Sequence, residues 1–196
     1  EAMEGSLDTN LVPRVRKVWS QFLIFLISDP DQGDLYYKKL QAETRVRVPL
    51  ECIMVSFLNT DDVSLAIYAS VGIARLAVSS NGKMSKDAVR QLNGISLLLK
   101  WTSNDASPEL LEAVSMALVN ISTSPENQVD ICKQGLHQLI NIARSTFETQ
   151  PVAWKYLSGT LRNLTRHIKN RTLLYKAELA AKHADATSFW FQSLFG

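Results

Sequence analysis

A chain of 196 residues with 46% apolar residues, 20% charged residues and a formal net charge of +2 has the length of about one domain and too much apolar content to stay disordered. Its charge balance points by itself to neither nucleic acid nor a membrane surface. The longest apolar run, Phe22 to Ile27, is far too short to cross a bilayer. Two cysteines, Cys52 and Cys132, stand 80 residues apart on apolar periodic stretches. That spacing excludes a disulfide framework and reads as two small core residues in a reducing interior, the cytoplasm or the nucleus. No leader is read at the start, and residues 1–6 are set aside as a vector-derived or frayed end.

Leu7 to Ser28 reads as a helix opened by Pro13 in its first turn, with Val15, Val18, Trp19, Phe22, Leu23, Leu26 and Ile27 at helical spacing. Ser28 to Gly33 breaks it, which makes residues 7–33 an N-terminal capping segment. Asp34 to Asn59 is helical again, but Pro49 cannot sit in a helix interior and divides the stretch near 34–46 and 49–59. Asp61 is the expected N-cap of a third helix running to Ser79, with Ile67, Val71, Ala74 and Val78 on one stripe. Residues 34–79 thus form a first unit of two shorter helices and a longer one.

The second unit, 80–122, repeats this order. A short helix near 85–92 stops at Asn93-Gly94, where glycine accepts a left-handed turn or a close helix approach. A second helix follows to Thr102, and Ser107-Pro108-Glu109 opens a long one carrying Leu110, Leu111, Val114, Ala117, Leu118 and Ile121. In the third unit, 123–166, Ser124-Pro125-Glu126 opens, Gly135 is expected to turn the chain, and Gln150-Pro151 starts the long helix. Gly94 and Gly135 lie 41 residues apart, Asn120 and Asn163 43 apart. Residues 167–196 begin the pattern again and end on SFWFQSLF. No strand-like alternation competes. The expected fold is therefore all-α, a right-handed α-solenoid of about three units with a cap at each end, in one domain spanning 7–196.

These residues resemble the armadillo-repeat family. Asp87-to-Gly94 and Gln128-to-Gly135 match that family's approach to the glycine between its first two helices. Ala117-Leu118-Val119-Asn120-Ile121 and Thr160-Leu161-Arg162-Asn163-Leu164 match the end of its third helix, and the match is good over residues 40–165. The resemblance implies that the third helices line a concave groove in which the asparagines hold the main chain of an extended peptide. An amide suits that task because it offers a donor and an acceptor in one plane. Arg75 stands at the asparagine position of the first unit. Four residues before that position lie Val71, Met116 and Gly159, where members that bind nuclear-import signals carry tryptophan. An importin-like role is therefore not implied. One turn earlier lie Glu112 and Lys155, and one turn later Val78, Thr123 and Arg166. The candidate groove is Asn120, Asn163, Arg166, Lys155, Arg75, Met116 and Glu112. An alternative for Asn120 and Asn163 is that each bonds a neighbouring turn and holds two units in register.

Charge has a direction along the chain. Trp101 to Cys132 holds five acids and no Lys or Arg, whereas Thr149 to Ala177 holds six Lys or Arg and no acid. A solvated outer face accounts for several of these cations. Lys155 and Arg166, sharing the face of Asn163, point to an acidic or phosphorylated partner segment. Phosphate loops, paired zinc-ligand spacings and nucleophile elbows are absent, and His137, His167 and His183 lack partners at ligand spacing. The sequence thus reads as a non-enzymatic scaffold that binds a protein or peptide, with no cofactor, no metal, no small-molecule substrate and at most peripheral membrane contact. Two rivals remain. One is an assembly module using the aromatic tail, Phe189, Trp190, Phe191 and Phe195, which could equally cap the last unit. The other is anionic-lipid or nucleic-acid binding through the basic C-terminal face. Three sequons, at Asn120, Asn163 and Asn170, are read as by-products of the repeat rather than as glycan sites.

Overall fold

Four helices begin on a proline, because that residue's fixed φ suits the first helical turn and its missing N–H is no loss there. In the computed structural model these are Pro30, Pro108, Pro125 and Pro151. The structure describes residues 29–44 and 48–184. The expected first helix, 7–28, and the aromatic residues Phe189, Trp190, Phe191 and Phe195 lie outside the described residues. Among those described, every regular element is helical, and no helix is long and apolar enough to cross a membrane.

The chain divides into two compact units, Glu1–Arg47 and Val48–Gly196. In the first lies α1 (Pro30–Thr44). Its start corrects the expected break at 28–33: the Asp29 carboxylate accepts the N–H groups of Asp31 and Gln32, both at 3.1 Å, so Asp29 caps a helix that runs straight through Gly33. Proline and aspartate, which end helices elsewhere, begin one here.

The second unit contains α2 (Leu50–Leu58), α3 (Val63–Leu76), α4 (Gly82–Gln91), α5 (Gly94–Trp101), α6 (Pro108–Ile121), α7 (Pro125–Thr146), α8 (Pro151–Thr165), a 3-10 turn (Ile168–Asn170) and α9 (Arg171–Ala184). Pro49 directly precedes α2, as its effect on helix interiors requires. The cap of α3 is Asp62 rather than Asp61. Its extended backbone aims Oδ1 at the N–H groups of Ser64 and Leu65, at 2.9 and 3.1 Å. Asp61 instead faces solvent and pairs with Lys100 at 3.7 Å. Ser107 caps α6 as expected, accepting from the Leu110 N–H at 3.3 Å.

The third unit departs from the expected plan at Gly135. This residue lies inside α7, a continuous helix of 22 residues, and does not turn the chain. A β-carbon there would fall 2.8 Å from Cδ1 of Leu99 and nearer still to Cδ2, so the glycine serves the packing of α7 on α5.

Helix α6 packs between α3 and α8, and α7 packs on α8 and α5. Ile73, Leu118, Ile121, Leu157, Leu161 and Leu164 fill the layers between them and are sealed from solvent. Each such side chain contributes about 1.5–3 kcal/mol by burial. Ser70, Ser115 and Ser158 occupy matching places in α3, α6 and α8, and their buried hydroxyls find no partner among the described residues. What they supply is small volume where long helices meet.

Candidate functional site

The two asparagines of the repeated closing motif tie the long helices together at their C-terminal ends. Asn120 Nδ2, in the last turn of α6, donates to the Ala74 carbonyl of α3 at 2.8 Å. Asn163 Nδ2, in the last turn of α8, donates to the Val119 carbonyl at 3.3 Å and to Ser122 Oγ at 2.9 Å. Both amide hydrogens of Asn163 are thereby used, and the residue is 9% exposed. Asn120 is half-buried and keeps one N–H and its oxygen uncommitted. The register-holding alternative is the arrangement seen. It also sets the three helices parallel, with their C-termini at one edge.

A second tier of amides escaped the sequence reading. Asn127 Nδ2 donates to the Ile121 carbonyl at 3.0 Å and the Lys86 carbonyl at 3.3 Å. Asn170 Nδ2 donates to the Leu164 carbonyl at 2.9 Å and the Gln128 carbonyl at 3.1 Å. Each amide closes the end of the preceding long helix and reaches back to the start of the previous unit. Their exposures are 0% and 1%. The signal was present, since Asn127 and Asn170 lie 43 residues apart, the spacing that joins Asn120 to Asn163. Asn170 drew notice only as a sequon, and its burial leaves no room for a glycan. At the other edge, Trp101 Nε1 donates to the Leu58 carbonyl at 2.8 Å, and Gln138 Nε2 to the Leu99 carbonyl at 2.8 Å and to Thr102. The long helices are therefore tied at both edges.

Above these ties lies a face made of one stripe from each long helix. Arg75, Glu112, Lys155 and Arg166 are exposed on it and Met116 is half-buried, as the helical spacing predicted. Asn163 lies beneath the face. Tyr68, Val71 and Arg162 share the same stripes and complete the surface. A β-carbon at Gly159 would meet Val119 Cγ2 at 2.9 Å, so this glycine lets α8 close on α6. Lys155, Arg162 and Arg166 make no ion pair among the described residues.

Other polar groups have structural employment. His167 Nδ1 accepts the Lys169 N–H at 3.2 Å and caps the 3-10 turn. The Glu126 carboxyl is held below the usual range by a backbone N–H and the Ser124 hydroxyl, with Arg90 and Lys83 adding to the effect. Burial pushes the Cys132 thiol up to about 11, which keeps it protonated and unreactive. Cys52 is half-buried rather than buried, and desolvation raises its pKa too. No three His, Cys, Asp or Glu side chains among the described residues are grouped to hold a metal ion. No protein-family model matches the chain, and no curated protein matches it significantly.

Proposed function

We propose that the protein is an armadillo-like α-solenoid that works in the cytoplasm as a non-enzymatic scaffold, holding an extended, acidic partner segment across its three long helices. The observation that carries this reading is the exposed face of α3, α6 and α8, with Lys155, Arg162 and Arg166 unpaired along α8. Unpaired guanidinium groups favour carboxylate or phosphate partners, which they can grip with two parallel hydrogen bonds. The amide ties below add rigidity, so little ordering free energy is lost on binding. Main-chain recognition would fall to Asn120, which retains a free donor and acceptor. Asn163 would support the face from beneath. Glu112, Met116, Val71 and Arg75 would set what the rest of the segment carries.

The test is a selection of displayed random peptides on the full chain. The expected winners are acidic and extended, and they lose at least about tenfold in affinity on Arg162→Glu/Arg166→Glu, as charge-assisted contacts predict. No enrichment, or winners that bind this variant equally well, would refute the reading.

A further inference from the structure

The edge where the long helices end carries a second pattern. Hydrogen bonds define its membership: Asn120 and Asn163 join the ends of α3, α6 and α8, Lys86 Nζ donates to Thr123 Oγ1 at 3.1 Å, and Asn170 ties the 3-10 turn to the start of α7. At the turns of this edge stand Val78, Met84 and Ile168, exposed by 61%, 73% and 68%. With Tyr175 they are the most exposed large apolar side chains among the described residues. Around them are the exposed cations Lys83, Arg166, Lys169 and Arg171. The acids here are Glu126, held beside Arg90 and Lys83, and the half-buried Asp87. The opposite edge, joined through Trp101 to Leu58 and Ser145 to Asn104, carries the exposed acids Asp61, Asp62, Asp105, Glu109 and Glu148.

We propose that the basic edge docks on an anionic lipid bilayer, with Val78, Met84 and Ile168 entering the headgroup region and the flanking cations meeting lipid phosphates and carboxylates. Nothing in water rewards aliphatic side chains held this far out of the fold. A membrane interface does, and it rewards neighbouring cations as well. A polyanion such as RNA would use the cations and leave the aliphatic tips idle. The acidic edge, at the far end of the long helices, is repelled by the same surface and fixes the orientation. This docking surface is separate from the peptide face and does not depend on it.

Flotation of the full chain with vesicles decides the matter, comparing phosphatidylcholine alone with phosphatidylcholine containing about 30% phosphatidylserine at about 0.1 M salt. Binding is expected only to the anionic vesicles. Each cation near the surface strengthens it roughly fivefold, so Lys83→Glu/Lys169→Glu should lower the partition coefficient by more than about tenfold. Met84→Ser/Ile168→Ser keeps the charge and should lower it about tenfold. Lys100→Glu/Lys133→Glu makes the same charge change away from the edge and should leave it within about threefold. All these side chains except Met84 and Ile168 are charged surface groups, and thermal melts verify that each variant folds, single substitutions replacing any pair that does not. Absence of binding to phosphatidylserine vesicles overturns the proposal, as does equal loss in the control pair. Wild-type binding by Met84→Ser/Ile168→Ser also overturns it and identifies a general polyanion patch, which competing RNA would then displace.

Discussion

Gly94 and Gly135 stand 41 residues apart at matching places in two units, yet the chain treats them differently. At the first, α4 ends and α5 begins; at the second, α7 runs on unbroken. The glycine itself does not make the turn. Asn93 does, at φ 61°, a left-handed conformation that asparagine tolerates better than most residues. Its counterpart before Gly135 is Gln134, which has no such tolerance and extends the helix. What the two glycines share is lack of bulk. A β-carbon at Gly94 would lie 2.7 Å from Val89 Cγ1, 2.9 Å from the Val89 carbonyl oxygen and 3.1 Å from Val55, while one at Gly135 would strike only the methyl end of Leu99. The repeat therefore preserves a close approach between helices, and the neighbouring residue decides whether the backbone also turns.

Substitutions can pull these two functions apart. Gly94→Ala should have the largest effect, about 2–3 kcal/mol lost in chemical denaturation, because the Val89 carbonyl is backbone and cannot step aside. Asn163→Ala comes next at about 2 kcal/mol, since it strands Ser122 and the Val119 carbonyl; Asn120→Ala, with one bond to lose, should cost about 1 kcal/mol. A reversed order of those two would show that the ties do not carry the stability assigned to them. Asn93→Ala should cost about 1–2 kcal/mol from left-handed strain, whereas Asn93→Gly should be neutral or mildly stabilising. Gly135→Ala should stay within about 1 kcal/mol of wild type, because Leu99 can shift and the helix interior gains from alanine. Its residual cost should shrink further in a Leu99→Val background. The smallest signature is chemical. With its pKa raised to about 11, Cys132 holds roughly a thousandth of its population as thiolate at pH 8, so Cys52 should react first with a thiol reagent.

Much of the architecture was legible because it is local. Prolines at helix starts, Ser107 as a cap and the apolar stripes of α3, α6 and α8 follow from backbone chemistry within a few residues. Arg75, Glu112, Lys155 and Arg166 were placed on one face by the helical period alone. The misreadings share a cause. Asp29 and Pro30 end a helix or begin one according to which side the chain continues to coil, and a short window does not contain that information. Asp61 and Asp62 are equivalent caps until the backbone angle of one turns extended. Gly135 was taken for a turn because its partner in the previous unit sits at one.

The sequence by itself determined that the chain is helical, that it repeats at a spacing near 43, and that cations gather after Thr149. These are properties of residue type and period. Only the tertiary structure decided what the asparagines do, because an amide's partner 41 to 46 residues away is set by how helices stack. It also decided that Val78, Met84 and Ile168, far apart in sequence, share an edge with the cations. Periodicity fixes the face a residue occupies on its own helix, but the company it keeps across helices depends on packing.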